Sequence, residues 1–434
     1  MNKLMSDAEW SSAVLNISST LSQVDRRVRF GGVRESLFEV WKLIALAPTP
    51  VAQTYALIPE SEILAVADEF DASQPDYGLS IGSVDDPRVV VRRLGGFLRA
   101  LEIEFMGLDL GGRPRSTKDW LVGVAPEDAY LVPMTRLALR GEVPPDEDMR
   151  PFDQRGLRKV RIIPSIVDGA AVSLVRRDHA DLASSISKVF GATIFKSAKF
   201  SGPETKTTFV VDKVKIPGRD KVIRKACEAA HVEGSLASVF PELMIDPGAR
   251  ALIANLLSDK PWMKKGDLPT APKFVVAGSW HEMEQGKRFN VATVFDGHGK
   301  EILRHKKRYP YKGPDRRSED IHFGKEFAVL VLDDALIAFG ICLDFCNRCF
   351  RTVYGELDVD FVIVPPCGNA VTMEGHIDTA KDLHRTRKSR AFVVQQAYPP
   401  IKKGSGFVLN PDGNPGGWQP NLLIVTSPGT TFSC

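Results

Sequence analysis

The stretch "ALIAFGICLDFCNRCFRTVYGEL" (335–357) decides the fold. Its first seven residues form a nearly unbroken apolar run, which predicts a buried strand. Downstream, Phe350, Val353 and Leu357 recur at helical spacing, which predicts a short amphipathic helix over 347–357. Cys342 therefore falls where a buried strand ends and a helix approaches. Backbone N–H groups and the positive end of the helix dipole gather at such an elbow, and both favour a thiolate. A developing oxyanion can use the same N–H groups. Cys346 and Cys349 fall near the first turn of the helix. Three of the chain's six cysteines thus lie within eight residues, as a nucleophile, as metal ligands or as small core residues.

Working outward, the elbow belongs to a regular run of strands. "ASVF" (237–240), "FVVAGSW" (274–280), "NVATVFD" (290–296) and "EILRH" (301–305) read as strands, and "RDKVIRKACEAAHV" (219–232) as an amphipathic helix. "FAVLVLD" (327–333) and "ALIAFGI" (335–341) read as a hairpin turning at Asp333–Asp334. "DFVIVPP" (360–366), a polar helix (376–389) and "AFVVQQA" (391–397) complete the run. Strands outnumber helices, and the helices are spaced to cover sheet faces, so a layered α/β sandwich is expected.

The first part of the chain has a different character. "SLFEVWKLIALA" (36–47), "ESEILAVADEF" (60–70) and "AYLVPMTRLALRG" (129–141) carry apolar residues at helix-like spacing. We expect a mainly helical N-terminal domain (1–155), a connecting α/β segment (156–204) and a larger α/β domain (205–434). The polar, proline-bearing stretch 141–156 is the expected linker, and "DHADLASSISKVF" (178–190) a helix. Residues 1–155 hold no phosphate-cradling loop, dinucleotide fingerprint or metal-ligand cluster.

The chain has 434 residues, 43% hydrophobic and 26% charged, which places it with ordinary globular proteins. A net charge of +3 implies neither nucleic acid nor a membrane surface as partner. Six unevenly spaced cysteines are too few for a disulfide scaffold. No signal peptide or run of about 18 apolar residues stands out, so a soluble protein of the reducing cytosol is expected.

A nucleophilic cysteine needs a base and a donor or cation. Glu242 follows an apolar strand in "VFPEL", where partial desolvation raises a carboxylate pKa toward the range of a base. Lys307, in "RHKKRYP", follows the strand "EILRH". Together with Cys342 these residues share one architectural position, the exit of a sheet strand.

"VFPEL", "RHKKRYP" and "FGICLDF", in this order, resemble the glutamate, lysine and cysteine motifs of the nitrilase, or carbon–nitrogen hydrolase, superfamily. Supporting stretches recur. "AGSWHEMEQGKRFNVATVFDGHGK" (277–300) resembles the family's strand–asparagine–strand region, with Asn290 at the asparagine. "RKSRAFVVQQA" (387–397) and "GSGFVLNPDGNP" (404–415) resemble late family elements, and "SEDIHFG" (318–324) the place of a second glutamate, Glu319. The resemblance covers about residues 205–420. It implies an αββα sandwich and cofactor-free hydrolysis of a non-peptide carbon–nitrogen bond, an amide rather than a nitrile. Glu242 would be the general base and Cys342 the nucleophile. Lys307 and the backbone N–H of Leu343 would stabilise the oxyanion, and Glu319 would position groups in the pocket.

Departures fall where substrate would sit. Leu343 stands where the family often has an aromatic residue, "FCNRC" follows Asp344, and Cys367 occupies a frequent serine position. These departures keep open a catalytically silent nitrilase-like binding subunit. A metal protein using Cys342, Cys346 and Cys349 is the third reading, although no fourth ligand stands out. The expected partner is a small amide or nitrile. Basic stretches at 304–317 and 381–390 keep an anionic substrate open, but not nucleic acid. The N-terminal domain is expected to mediate homo-oligomer or partner contacts.

Overall fold

The computed structural model describes residues 4–21, 31–70, 79, 81, 83–109, 117–125, 127–135, 157–177, 190–263, 271–313, 315–347, 351–401, 404–411, 415–416 and 423–426. The expected linker (141–156), nearly all of the expected helix 178–190, and Cys349 lie outside them. Two compact units emerge: Met1–Ala138 with Glu142–Asp168, and Leu139–Gly141 with Gly169–Cys434.

The first unit is built on α1 (Asp7–Leu21), α2 (Gly31–Ala45), α3 (Thr49–Ala56), α4 (Glu60–Ala67) and α5 (Pro87–Asp109). Three antiparallel strands join them: β1 (Leu121–Val122), β2 (Ala129–Pro133) and β3 (Val160–Pro164). One apolar core runs from Trp10 and Phe38 through Leu94 and Phe105 to Leu131 and Ile162. The helical expectation for 129–141 is overturned over Ala129–Pro133, which is strand. Helix-like spacing there also fits a short buried strand, and pairing with β1 and β3 satisfies its backbone. Buried Glu102 of α5 ties helix to sheet, accepting the N–H groups of Arg158, Lys159 and Val160 at 2.8–3.1 Å.

The second unit is built on two large sheets, with two short strand pairs beside them among the described residues. One contains β5 (Phe190–Thr193), β6 (Ala237–Glu242), β7 (Phe274–Glu284), β8 (Lys287–Asp296), β9 (Glu301–Lys306) and β15 (Leu423–Thr426), in the order β9-β8-β7-β6-β5-β15. The other contains β4 (Ala170–Arg176), β10 (Glu326–Val331), β11 (Leu336–Phe339), β12 (Phe361–Val364), β13 (Arg390–Ile401) and β14 (Gly404–Leu409), in the order β14-β13-β12-β11-β10-β4. Strands β4 and β5 come from the stretch expected to be connecting segment. β4 pairs in parallel with β10, and β5 with β6.

The sheets face each other through aromatic and polar contacts. Phe190 of β5 lies 5.5 and 5.1 Å from the rings of Phe361 and Phe392, and Phe274 lies 6.1 Å from Phe339. The Gln396 side-chain amide donates to the Phe195 carbonyl and accepts its N–H, both at 2.8 Å. Outside the first sheet, α6 (Arg219–Val232) and α7 (Pro247–Asp259) bury Ile223, Ala226, Ile253 and Leu256 against Phe240, Val275 and Phe295. Against the other sheet lie α8 (Leu343–Cys346), α9 (Arg351–Glu356) and α10 (Ala370–Arg387). Tyr354 of α9 packs edge-on against Phe327 and Phe345. The layers are α, β, β, α, the sandwich expected from the sequence. Among the described residues no helix is long and apolar enough to cross a membrane.

Candidate active site

Glu242, Lys307, Glu319 and Cys342 converge in the second unit, each no more than 4% exposed. Glu242 ends β6, whose last pair with β7 is Glu242 to Ser279. On its other edge β7 bulges against β8 between Val276 and Ser279, while its register with β6 runs through unshifted. Gly278 turns the bulge at φ +56°, and a Cβ there would stand 2.2 Å from the Pro241 carbonyl oxygen. Only glycine fits both demands.

Lys307 lies one residue beyond β9, and its N–H donates to the Asn290 carbonyl at 2.8 Å. Its ammonium donates to Glu242 Oε1 at 2.8 Å and Glu319 Oε2 at 2.7 Å. The neighbouring Lys306 points elsewhere. Its Nζ pairs with Glu284 at 2.5 Å and sits 4.3 Å from the Phe289 ring centroid. Arg304 pairs with Glu282 and Glu284, and Arg317 with Asp315 and Glu204, so acidic neighbours dilute the basic run 304–317.

Asn290 bridges the carboxylates, donating through Nδ2 to Glu242 Oε1 at 2.9 Å and to Glu319 Oε1 at 2.8 Å. Glu242 Oε2 accepts the Cys367 backbone N–H at 2.8 Å. Glu319 Oε2 accepts the Tyr311 N–H at 2.9 Å, and Oε1 meets His281 Nε2 at 2.8 Å.

Burial raises the Glu242 pKa, while the Lys307 ammonium opposes the rise and Glu319 adds to it. For Lys307, burial opposes the charge, yet Glu242 and Glu319 outweigh it and hold the ammonium pKa well above its usual value. Burial likewise opposes the Glu319 charge, but Lys307 and the His281 hydrogen bond hold it far below the ordinary carboxylate range. Burial thus favours the neutral form of Glu242, while the donors around Glu319 favour its charged form.

Cys342 stands at the elbow, as the N-cap of α8, with φ 49° and ψ −109°. A non-glycine residue in this region stores on the order of 1–3 kcal/mol of strain, which its surroundings must hold. Asp344 supplies the hold. Its Oδ1 accepts the N–H groups of Arg308 and Tyr309 at 2.9 and 3.1 Å. Its Oδ2 accepts that of Ile341 at 3.0 Å and meets His305 Nε2 at 3.2 Å. One buried carboxylate thereby fastens the cysteine elbow to the segment that carries Lys307.

The elbow differs from its expected electrostatics. The helix after Cys342 is only four residues long and carries little dipole. Burial dominates and pushes the thiol pKa well up; Glu242 adds to the push and Lys307 opposes it. Burial therefore favours the thiol over the thiolate. Leu343 N–H donates to no group among the described residues, so one backbone donor beside Cys342 stays open.

Cys346 ends α8, its thiol pKa pushed up to about 11 by burial. Among the described residues no three His, Cys, Asp or Glu side chains gather as a metal site. His281 and Asp344 were not singled out from the sequence. The available signals were a histidine inside a buried strand and an acid two residues past the cysteine.

No family model matches the chain, and no curated protein matches it. Solved structures do. One is an amidase from Nesterenkonia sp. AN1 bearing acrylamide added to its active-site cysteine, 16% identical, covering 55% of this chain and 90% of that one at a TM-score of 0.38. A cysteine-to-alanine mutant of the same amidase, described as from the nitrilase superfamily, is 16% identical and covers 55% and 89% at 0.39. The same mutant in complex with butyramide is 15% identical with the same coverage and TM-score.

Proposed function

We propose that this protein is a carbon–nitrogen hydrolase acting on a small amide through Cys342. The observation that carries the reading is the buried Glu242–Lys307–Glu319 cluster, whose Glu242 and Lys307 charges act on the Cys342 thiol. Glu242 takes the proton from Cys342 Sγ, and the sulfur attacks the amide carbon. The Leu343 N–H and Lys307 ammonium receive the developing oxyanion. As the tetrahedral adduct collapses, the carbon–nitrogen bond breaks, and Glu242 returns its proton to the leaving amine. Water, deprotonated by Glu242, then attacks the thioester, releasing the acid and restoring the thiol. Glu319 stays ionised and holds Lys307 in place.

Incubation of the full chain with a panel of small aliphatic amides, followed by intact mass, tests the reading. The expected result is an acyl mass on the protein with product formation, both absent in Cys342→Ala. Turnover that persists in Cys342→Ala would overturn the role of Cys342. No adduct and no turnover, with several cysteines alkylating at equal rates, would instead support the silent binding subunit.

A further inference from the structure

Glu242 and Glu319 are nearly equivalent in their donors. They share Lys307 and Asn290, and each accepts one backbone N–H, from Cys367 and Tyr311 respectively. One contact breaks the symmetry. Glu319 Oε1 alone meets His281 Nε2, at 2.8 Å. We infer that His281 is a positioning residue that keeps Glu319 the fixed anion of the pair and so leaves Glu242 to carry the moving proton.

The geometry sets the tautomer. His281 Nδ1 accepts the Val211 backbone N–H at 2.9 Å, so Nδ1 presents its lone pair and the ring hydrogen sits on Nε2. The side chain is fully buried, which leaves no water to substitute for either partner. His281 is the cross-strand partner of Asn290 in the β7–β8 pairing, so both side chains reach the same oxygen of Glu319 from one face of the sheet. The same arrangement clamps the Glu319 backbone: Phe209, two residues before Val211, pairs with Glu319 and accepts the Asp320 N–H at 2.9 Å. The titratable side chains bonded to Glu319 are Lys307 and His281, with Glu242 across Lys307. This role rests on the hydrolase reading above.

Two variants separate positioning from mere packing. His281→Asn keeps an acceptor for Val211 but cannot reach Glu319, whereas His281→Gln restores an amide donor near the Nε2 position. With fewer donors the carboxylate pair binds a proton more tightly. The acid limb of Cys342 alkylation by iodoacetamide, followed on the full chain, should therefore move up by about one pH unit in His281→Asn and return toward the original in His281→Gln. Nitrogen-15 spectra of ring-labelled histidine should show neutral His281 as the Nε2–H tautomer. A slower His281→Asn with an unmoved acid limb would overturn the inference, as would an Nδ1–H tautomer. The spectra do not depend on Cys342 reacting. A Cys342 that alkylates no faster than the other cysteines, beside an Nε2–H ring, therefore indicts the hydrolase reading and not the His281–Glu319 contact.

Discussion

Replacing Lys307 with methionine keeps the length of the side chain but removes the cation that Glu242 and Glu319 both hold, at 2.8 and 2.7 Å. The buried cluster then carries two negative charges where it carried one. Breaking a buried ion pair by removing one partner costs about 3–5 kcal/mol. Here the cost depends on pH with a defined sign. Without Lys307, one carboxylate must have a folded pKa well above its unfolded value of about 4.3. A raised carboxylate destabilises only above the unfolded value, by about 1.4 kcal/mol per pH unit until the folded value is reached. The ionisation cost thus falls from about 3–5 kcal/mol near pH 8 to about 2 kcal/mol near pH 5.5. Urea-dependent amide exchange in peptides covering β8 reads the stability of this unit separately from the helical one. A difference from the parent below about 1 kcal/mol near pH 8, or one that does not shrink on acidification, would refute the reasoning.

Three further outcomes follow from particular contacts. Asp344→Ala removes the acceptor of the Arg308, Tyr309 and Ile341 N–H groups and should cost about 3 kcal/mol in urea unfolding, with part recovered in Asp344→Asn. Gly340→Ala should destabilise, because its Cβ would stand 2.3 Å from the Tyr354 hydroxyl oxygen; adding Tyr354→Phe should relieve part of the loss, a coupling that a double-mutant cycle measures. Burial holds His376 down to a pKa of about 3, and neither ring nitrogen has a partner among the described residues. Its depressed value means stability present above about pH 6.5 is lost on acidification, by about 2 kcal/mol at about pH 5, and His376→Leu should flatten that slope in denaturation titrations.

What the sequence made legible was local. The strands around 237–242, 274–296 and 326–339 show as apolar runs, and the helix over 219–232 buries Ile223, Ala226, Cys227 and Ala230 of its expected stripe. Glu242, Lys307, Glu319 and Cys342 could be picked out because each sits beside a strand end or in a motif. Helix α7 passed unread, although Asp246 and Pro247 form a sound start signal and Asp246 caps Ala249 at 2.9 Å. Ala129–Pro133 reads as helix but forms strand, because its partner strand β3 begins 27 residues later. The long-range contacts of His281 and Asp344 are illegible for the same reason: they join residues 35–70 positions apart, and no window of sequence displays them. Elbow geometry favours a thiolate, but the desolvation of a fully buried thiol outweighs four residues of helix.

Proton transfer from a buried Cys342 thiol to Glu242 is read by pH-dependent alkylation of that thiol. Residue-resolved mass spectrometry with iodoacetamide at neutral pH should find Cys342 the fastest cysteine in the full chain. Glu242→Gln, which removes the base but retains an acceptor for the Cys367 N–H, should slow that reaction at least tenfold and leave Cys227 unchanged. Equal rates at Cys342 in Glu242→Gln and the parent would contradict the account.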